Sequence, residues 1–242
     1  MLSIVVPAYN EGEHIYENLG IISSEVRKFT QDYEIIAVSD GSSDNTWDEV
    51  KRAVSDIPGI VDAGYAENQG KGGAIKSGVA VSKGDIVGFI DADLDITASL
   101  LAGFYKACSE NPGCVAIGSK MHKDSKLEYP FARKVFSMGY FIMLKILFNM
   151  SCHDTQTGMK MYPGDVLRKA VKKQRVKGYA FDIELLALTT GKKAKIIEMP
   201  IEIHFTRGES FGRIKMSDVF KMFTDTIGIW WNLKVRKSYA KD

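Results

Sequence analysis

Apolar positions in the first half of the chain come in short, unbroken runs: LSIVVPA (2–8), YEIIAVS (33–39), IVDAGYA (60–66), DIVGFID (85–91) and VAIGS (115–119). Runs of this length, rich in β-branched residues and ended by turn-forming residues, predict strands buried on both faces. Between them apolar residues recur at helical spacing near 13–29, 45–55, 71–82 and 98–109. Strand alternating with helix predicts an α/β fold: a mostly parallel, Rossmann-like sheet flanked by helices.

The second half is less regular. Pro130 to Met150 predicts a helix with a broad apolar surface, and HDTQTGMKMY (153–162) a polar loop running into a short strand. AFDIELLALTTG (180–191) predicts a helix with a glycine stop, and AKIIEMPIEIHF (194–205) a strand pair or one strand bent at Pro200. MSDVFKMFTDTIGIWWNL (216–233) predicts a closing helix before a basic end. Neither a linker nor an internal repeat interrupts the chain. The expectation is one domain over 1–242, with a ligand-binding half (1–120), a second half that completes the site (121–215) and an amphipathic C-terminal helix (216–242).

In parallel sheets ligands bind beyond the carboxyl ends of the strands. That rule brings three polar clusters to one edge: Tyr9, Asn10 and Glu11 after the first strand, Asp40 to Asp44 after the second, and Asp91, Asp93 and Asp95 after the fourth. The three alternating carboxylates lie either along a strand or on the turn just after it. They form either a site for a hard divalent cation, which takes oxygen ligands, or a solvated strand end with Asp95 or Thr97 as a helix cap. VSDGSSDNT (38–46) reads as strand, turn and N-cap at Asp44 or Asn45, with Asp40 also placed to grip a ribose or base. NQGKGGAIKSG (68–78) is a glycine-rich helix entry and also resembles a phosphate cradle, with Lys71 and Lys76 beside backbone amides. It lacks the GxxxxGK[ST] spacing of a P-loop, and no GxGxxG follows the first strand.

Composition alters this picture little. The 242 residues carry a net charge of +2, which predicts no nucleic-acid partner. Three cysteines without a CxxC pair argue against a disulfide framework and for a reduced, cytosolic setting. The N-terminal residues do not read as a signal peptide, and Phe136 to Met150 falls short of the ~20 residues of a spanning helix and carries Lys145.

VVPAYNE, VSDGSSDNT, NQGKGGAIKSG and FIDADLD, in this order and spacing, resemble the family-2 glycosyltransferases of GT-A fold. DTQTGMK (154–160), FDIELL (181–186) and EMPIEIHFTRGES (198–210) are similar to one branch, the polyprenyl- or dolichyl-phosphate sugar synthases. Within it the similarity is greatest to dolichyl-phosphate β-glucosyltransferases, then to dolichyl-phosphate mannose synthases. The resemblance implies that Pro7, Ala8, Tyr9, Glu11, Val38, Asp40, Lys71, Asp91, Ala92 and Asp93 bind a nucleotide sugar, UDP-glucose or GDP-mannose. It implies Mg²⁺ or Mn²⁺ on Asp93 and Asp95, and a polyprenyl or dolichyl phosphate held by Lys120, Arg133, Lys160, Arg207 and Arg213. Asp93, Asp182 and Arg207 would act in catalysis. Asp182 matches the acidic position that serves as base in relatives whose acceptor is a hydroxyl; here it either orients a substrate or stands as a dipole-favoured helix start. His204 could complete a metal shell, although an isolated His in a strand is more often packed or hydrogen-bonded, and His153 carries the same two readings. The chain departs from the family pattern in Asp95 where mannose synthases often have Gln, in Lys120 where many relatives have Arg, and in Phe211 where a basic residue is usual.

The reaction so implied is an inverting, in-line transfer of a hexose, glucose before mannose, to a lipid phosphate. The alternatives are transfer to a sugar hydroxyl and a non-catalytic sugar-nucleotide-binding protein of the membrane surface. Large apolar and aromatic residues mixed with Lys and Arg in 131–150 and 217–237 suit interfacial helices, so a peripheral protein on the cytoplasmic face of a membrane is expected, although helices that merely cover the core share this pattern.

Overall fold

A computed structural model describes residues 1–126, 131–150, 152–190, 195–203 and 216–240, except for the side chains of 131–138, 216–218 and 240. The early runs form β1 (Leu2–Ala8), β2 (Tyr33–Ser39), β3 (Ile60–Asp62), β4 (Ile86–Phe89) and β5 (Val115–Ser119). The helices between them are α1 (Ile15–Arg27), α2 (Thr46–Asp56), α3 (Lys71–Val81) and α4 (Leu101–Glu110). Then follow α5 (Phe131–Phe148), β6 (Lys160–Pro163), α6 (Gly164–Lys173), α7 (Phe181–Thr189), β7 (Ile196–Pro200) and α8 (Met216–Lys234). The strands join in one sheet of order β3-β2-β1-β4-β6-β5-β7.

The unbroken apolar runs are explained by two cores. Along β1, Leu2, Ile4 and Val6 face one of them while Val5 faces the other; Ile35 and Ala37 of β2 alternate likewise with Ile36 and Val38. Residues of α1, α2 and α4 close the first core, and residues of α3, α5, α6, α7 and α8 the second. Both faces of β1 and β2 are covered, so polar positions there fall near the strand ends.

β1 pairs in parallel with β2 and β4, and β3 extends the same sense. Strand order reverses between β1 and β4, which is where a crevice opens beyond the carboxyl ends. β6 runs antiparallel to β4 and β5. Its first residue, Lys160, therefore pairs with Phe89 at the crevice end of β4. This reversal delivers the 153–159 loop to the same edge as the three earlier clusters.

Several expected boundaries shift. β3 stops at Asp62 because that side chain turns inward, accepting from the Gly64 amide (2.7 Å) and the Trp47 indole (2.9 Å). β4 ends at Phe89, so Asp91 lies on the following turn. α6 has no counterpart in the sequence reading, although Leu167, Ala170 and Val171 bury one of its faces. Residues 196–200 form a single strand ending at Pro200. Cys108, Cys114 and Cys152 are free and buried, in keeping with the absence of a disulfide framework.

α3 rides close on the sheet because Gly78 has no side chain: a Cβ there would overlap Val5 Cγ1 and stand 3.1 Å from Val38 Cγ2. Gly78→Ala is expected to cost about 1–3 kcal/mol by overpacking, read as a lower urea midpoint at unchanged slope.

Candidate active site

The loops after β1 and β2 are laced together. The Asn10 amide donates to Ser42 Oγ (3.1 Å), and Asn10 Oδ1 accepts from the Ser43 amide (2.9 Å). The Glu11 amide donates to Thr46 Oγ1 (2.8 Å), and the Gly12 amide to Asp44 Oδ2 (3.0 Å). Asp44 also accepts from the Thr46 amide at 3.0 Å, while the N-cap position of α2 is Asn45, whose side chain makes no cap hydrogen bond. Burial works against the charge of Asp44, but these donors outweigh burial and its pKa is lowered. The tie holds Glu11 buried and leaves Tyr9 exposed beside it.

Asp40 is buried at the end of β2. Its Oδ1 accepts from Tyr65 Oη and from the Gln69 amide, both at 2.7 Å, while Asn68 Nδ2 donates to its carbonyl (2.9 Å). Burial and the adjacent Asp40 push the Tyr65 phenol pKa up, so Tyr65 stays a donor. Gly41 makes this fit possible: its φ is +61°, and a Cβ would overlap the Asn68 amide nitrogen.

Asp91, Asp93 and Asp95 sit on the tight turn after β4. Leu94 has φ 54°, its amide donates to the Asp91 carbonyl (3.3 Å), and the Asp95 amide donates to Asp93 Oδ1 (3.2 Å). Asp91 pairs with Lys71 Nζ, from the first turn of α3, at 2.5 Å. Burial lowers the Lys71 pKa, but Asp91, Asp182 and Asp93 outweigh it and the ammonium is held charged. Burial, followed by the charges of Asp91 and Asp95, raises Asp93 from 3.8 to about 6.

The 153–159 loop closes the site from the far side. A Cβ at Gly158 would overlap the Asp91 carboxylate, so only glycine lets the loop lie against the acidic turn. Thr157 Oγ1 donates to the Gly118 carbonyl. The Lys120 amide donates to Asp154 Oδ2 (3.0 Å), with Lys120 Nζ 3.8 Å from the same oxygen. His153 is committed to structure: its amide and Nδ1 engage Glu198 at 2.9 and 2.7 Å, and its ring stacks on Phe141.

Not every expected residue faces the crevice. Lys160 is 0% exposed, its Nζ 2.6 Å from both the Thr157 carbonyl and Asp182 Oδ1. Its position is that of a buried counter-ion rather than an accessible phosphate ligand, because β6 carries it inward beneath Phe89. Val38, Ala8 and Ala92 place their side chains in the cores, so contact with a ligand there falls to their backbone. Lys76 spends its ammonium on the Gln174 carbonyl (2.9 Å) rather than on the cradle. Arg207, Arg213, His204 and Phe211, and the side chain of Arg133, lie outside the described residues. Asp154 and Gly158 were not singled out as site residues in the sequence reading, although both lie within the DTQTGMK run quoted there.

Among the described residues no three His, Cys, Asp or Glu side chains converge to hold a metal by themselves. The donors at the turn are nevertheless hard oxygens carrying more negative charge than Lys71 alone offsets, the set that suits Mg²⁺ or Mn²⁺ when one or two carboxylates are completed by ligand oxygens.

The sequence matches the model of the Glycosyl transferase family 2 over residues 3–170. The chain belongs to that family. It is 30% identical over 240 residues to a dolichyl-phosphate beta-glucosyltransferase of Trichomonas vaginalis, covering 94% of this chain and 70% of that protein. It is 29% identical over 229 residues to a dolichol-phosphate mannosyltransferase of Pyrococcus furiosus, covering 91% of this chain and 61% of that one. Among solved structures, glucosyl-3-phosphoglycerate synthase from Mycobacterium tuberculosis, in complex with Mn²⁺, UDP and glucosyl-3-phosphoglycerate, superposes with a TM-score of 0.65 at 18% identity, over 96% of this chain and 79% of that one. The fold is therefore GT-A, as the motif order implied.

Two outcomes are expected. An Asp93 carboxyl that ionises at 3.8 when unfolded but at about 6 when folded withdraws stability as pH rises through that window. Asp93→Asn should accordingly raise the thermal midpoint of the metal-free protein by a few degrees at about pH 7.5 and leave it nearly unchanged at about pH 2.5, where the wild-type carboxyl is protonated in both states. Lys160→Met strands Asp182 as a buried, uncompensated charge and should cost about 3–5 kcal/mol in urea denaturation, most of it recovered in Lys160→Met/Asp182→Leu.

Proposed function

We propose that this glycosyltransferase moves a hexose, glucose before mannose, from UDP-glucose or GDP-mannose to a polyprenyl or dolichyl phosphate, with inversion and with Mg²⁺ or Mn²⁺. The observation that carries the choice of acceptor is the state of Asp182. Its side chain is 8% exposed and its Oδ1 is held by Lys160 Nζ at 2.6 Å. Burial raises its pKa, against the opposing charges of Lys160 and Lys71. A carboxylate sealed from water with one oxygen committed to the Lys160 ammonium is poorly placed to deprotonate a sugar hydroxyl, whatever its basicity. A phosphate monoester needs no such base, because its second pKa of ~6 leaves it largely dianionic at neutral pH. The names of the similar dolichyl-phosphate transferases point the same way.

In this reading Asp40 and the Tyr9–Glu11 loop grip the nucleoside, and Lys71 lies along the diphosphate. Asp93 and Asp95 would hold the divalent cation, which supplies charge stabilisation to the departing diphosphate. Lys120, together with Arg133, Arg207 and Arg213, holds the acceptor phosphate so that its oxygen meets the anomeric carbon in line. Lys160 serves by keeping Asp182 in place.

The acceptor's lipid also gives a role to an unusual surface. Among the described residues no helix is long and apolar enough to cross a membrane. α5 exposes Ile142 and Ile146, the latter by 77%, while α8 exposes Phe220 by 73% as well as Ile227 and Trp231. Tyr140 Oη and Thr226 Oγ1, 2.9 Å apart, tie the two helices together. Apolar residues beside Lys145, Lys221 and Lys234 suit helices lying in a lipid interface, on the cytoplasmic face.

A panel of nucleotide sugars with Mn²⁺ or Mg²⁺ and a short polyprenyl phosphate tests the function. The expected product is one β-linked hexosyl phosphate, and Asp93→Ala should lower kcat by about 10²–10³-fold at retained fold. Transfer to a sugar hydroxyl, with the prenyl phosphate refused, would refute the assignment. The protein should float with anionic liposomes, and Phe220→Glu with Ile146→Glu should leave it at the bottom of the gradient.

A further inference from the structure

Behind α3 the chain makes a turn at 174–178, of which Val176 packs against the second core. Its contacts run to the first turn of α3, which carries Lys71. The Gly72 amide donates to the Lys177 carbonyl (2.9 Å), and Gln174 Nε2 donates to the Gly72 carbonyl (2.9 Å) and to the Val176 carbonyl (2.9 Å). A Cβ on Gly72 would stand 2.8 Å from the carbonyl oxygens of both Val176 and Lys177. The register of Lys71 is thus set by the 174–178 turn.

That turn is held by one buried carboxylate. Glu184 of α7 is 0% exposed, and its two oxygens accept from the Arg175 amide (3.0 Å) and the Val176 amide (2.8 Å). A third donor arrives from the other end of the chain: Tyr239, in a short 3₁₀ turn at Ser238–Ala240, donates its phenol to Glu184 Oε1. Burial and the Glu184 charge push this phenol's pKa up, which keeps it a donor. The rest of the 3₁₀ turn is clamped as well. Lys173 Nζ donates to the Tyr239 carbonyl (2.6 Å), Arg175 Nη1 to Ser238 Oγ (3.0 Å), and the Arg175 guanidinium lies over the Tyr239 ring at 4.7 Å.

We infer that Glu184 and Tyr239 are positioning residues for the diphosphate-binding lysine: a latch that fastens the segment after α8 to the 174–178 turn and, through it, holds Lys71 against Asp91. A carboxylate is suited to this task because it accepts several strong hydrogen bonds at once, and in a dry site each is worth more than at the surface. Neither residue touches the substrate. The effect runs through the bonds that join the turn to α3: Gly72–Lys177, Gln174–Gly72 and, further along the helix, Lys76–Gln174. The kinetic part of the inference rests on the nucleotide-sugar reading of the site; the structural part does not.

Tyr239→Phe keeps the ring beneath Arg175 and removes only the donor, whereas Glu184→Gln keeps the shape and removes the charge. Hydrogen exchange in the ligand-free full chain decides the latch without reference to any substrate. Amides of 70–76 and 174–178 should exchange about tenfold faster in Tyr239→Phe, the factor expected for loss of a hydrogen bond to a charged group, with β1 and β2 unchanged. Wild-type rates at 70–76, or an equal acceleration throughout the sheet, would overturn it. In turnover, Tyr239→Phe should raise the KM for the nucleotide sugar by about three- to tenfold with kcat and the acceptor KM within about twofold, and should add nothing in a Lys71→Ala background. Independent, additive effects of the two substitutions would show that the latch does not act through Lys71. If the wild-type chain turns over no nucleotide sugar, the proposed function fails and the exchange result still stands on its own.

Discussion

Excess negative charge in a crevice between two parallel strands is the constraint to which the rest of the site answers. Asp91 and Asp93 stand within two residues of each other and share an environment with Asp182; burial makes their mutual repulsion expensive. Two lysines offset it in different ways. Lys71 arrives on a helix start, remains partly accessible and faces Asp91. Lys160 arrives on an antiparallel strand, is sealed from water and is consumed by Asp182. Lys71 offsets Asp93 only in part, and under the proposed function a divalent cation would offset the rest. A site of this kind is destabilised when empty and relieved when filled, a common trade between stability and function.

Delivering those charges requires backbones to approach more closely than side chains allow. Gly158 lets the 153–159 loop lie against Asp91, Gly41 lets the β2 loop meet Asn68, and Gly72 lets α3 settle on the 174–178 turn. The order of strands does the rest. Because β6 is inserted antiparallel between β4 and β5, residues from the second half of the chain reach the crevice formed by the first half. The sheet is therefore one structure although the sequence reads as a regular half and an irregular half.

Much of this architecture was legible in the chain. β1, β2, β5 and the body of every anticipated helix follow from apolar runs and periodicity, because burial on both faces leaves no room for polar residues between strand ends. The gathering of Asp40, Asp91 and Asp93 at the crevice edge was legible for the same reason: in a doubly covered sheet, acids just past a strand have only that edge to occupy. The shortened β3 was not legible, since it depends on where the Asp62 side chain finds donors. α6 was missed although its apolar spacing was present, hidden behind the Pro163–Gly164 junction.

The sequence by itself determined the fold class, the sheet edge at which the polar clusters meet and the residue types gathered there, since these depend on local patterns of burial and charge. Tertiary structure alone decided how the lysines divide. Lys71, Lys76 and Lys160 are indistinguishable as charges along the chain, yet one faces the acidic turn, one is tied to the Gln174 carbonyl and one is buried beneath Phe89 against Asp182. A side chain's charge is written in its codon, but the partner that charge meets depends on strand direction and on the approach of segments 98 or more residues away in the case of Lys76 and Gln174. Those are long-range contacts that no local pattern encodes.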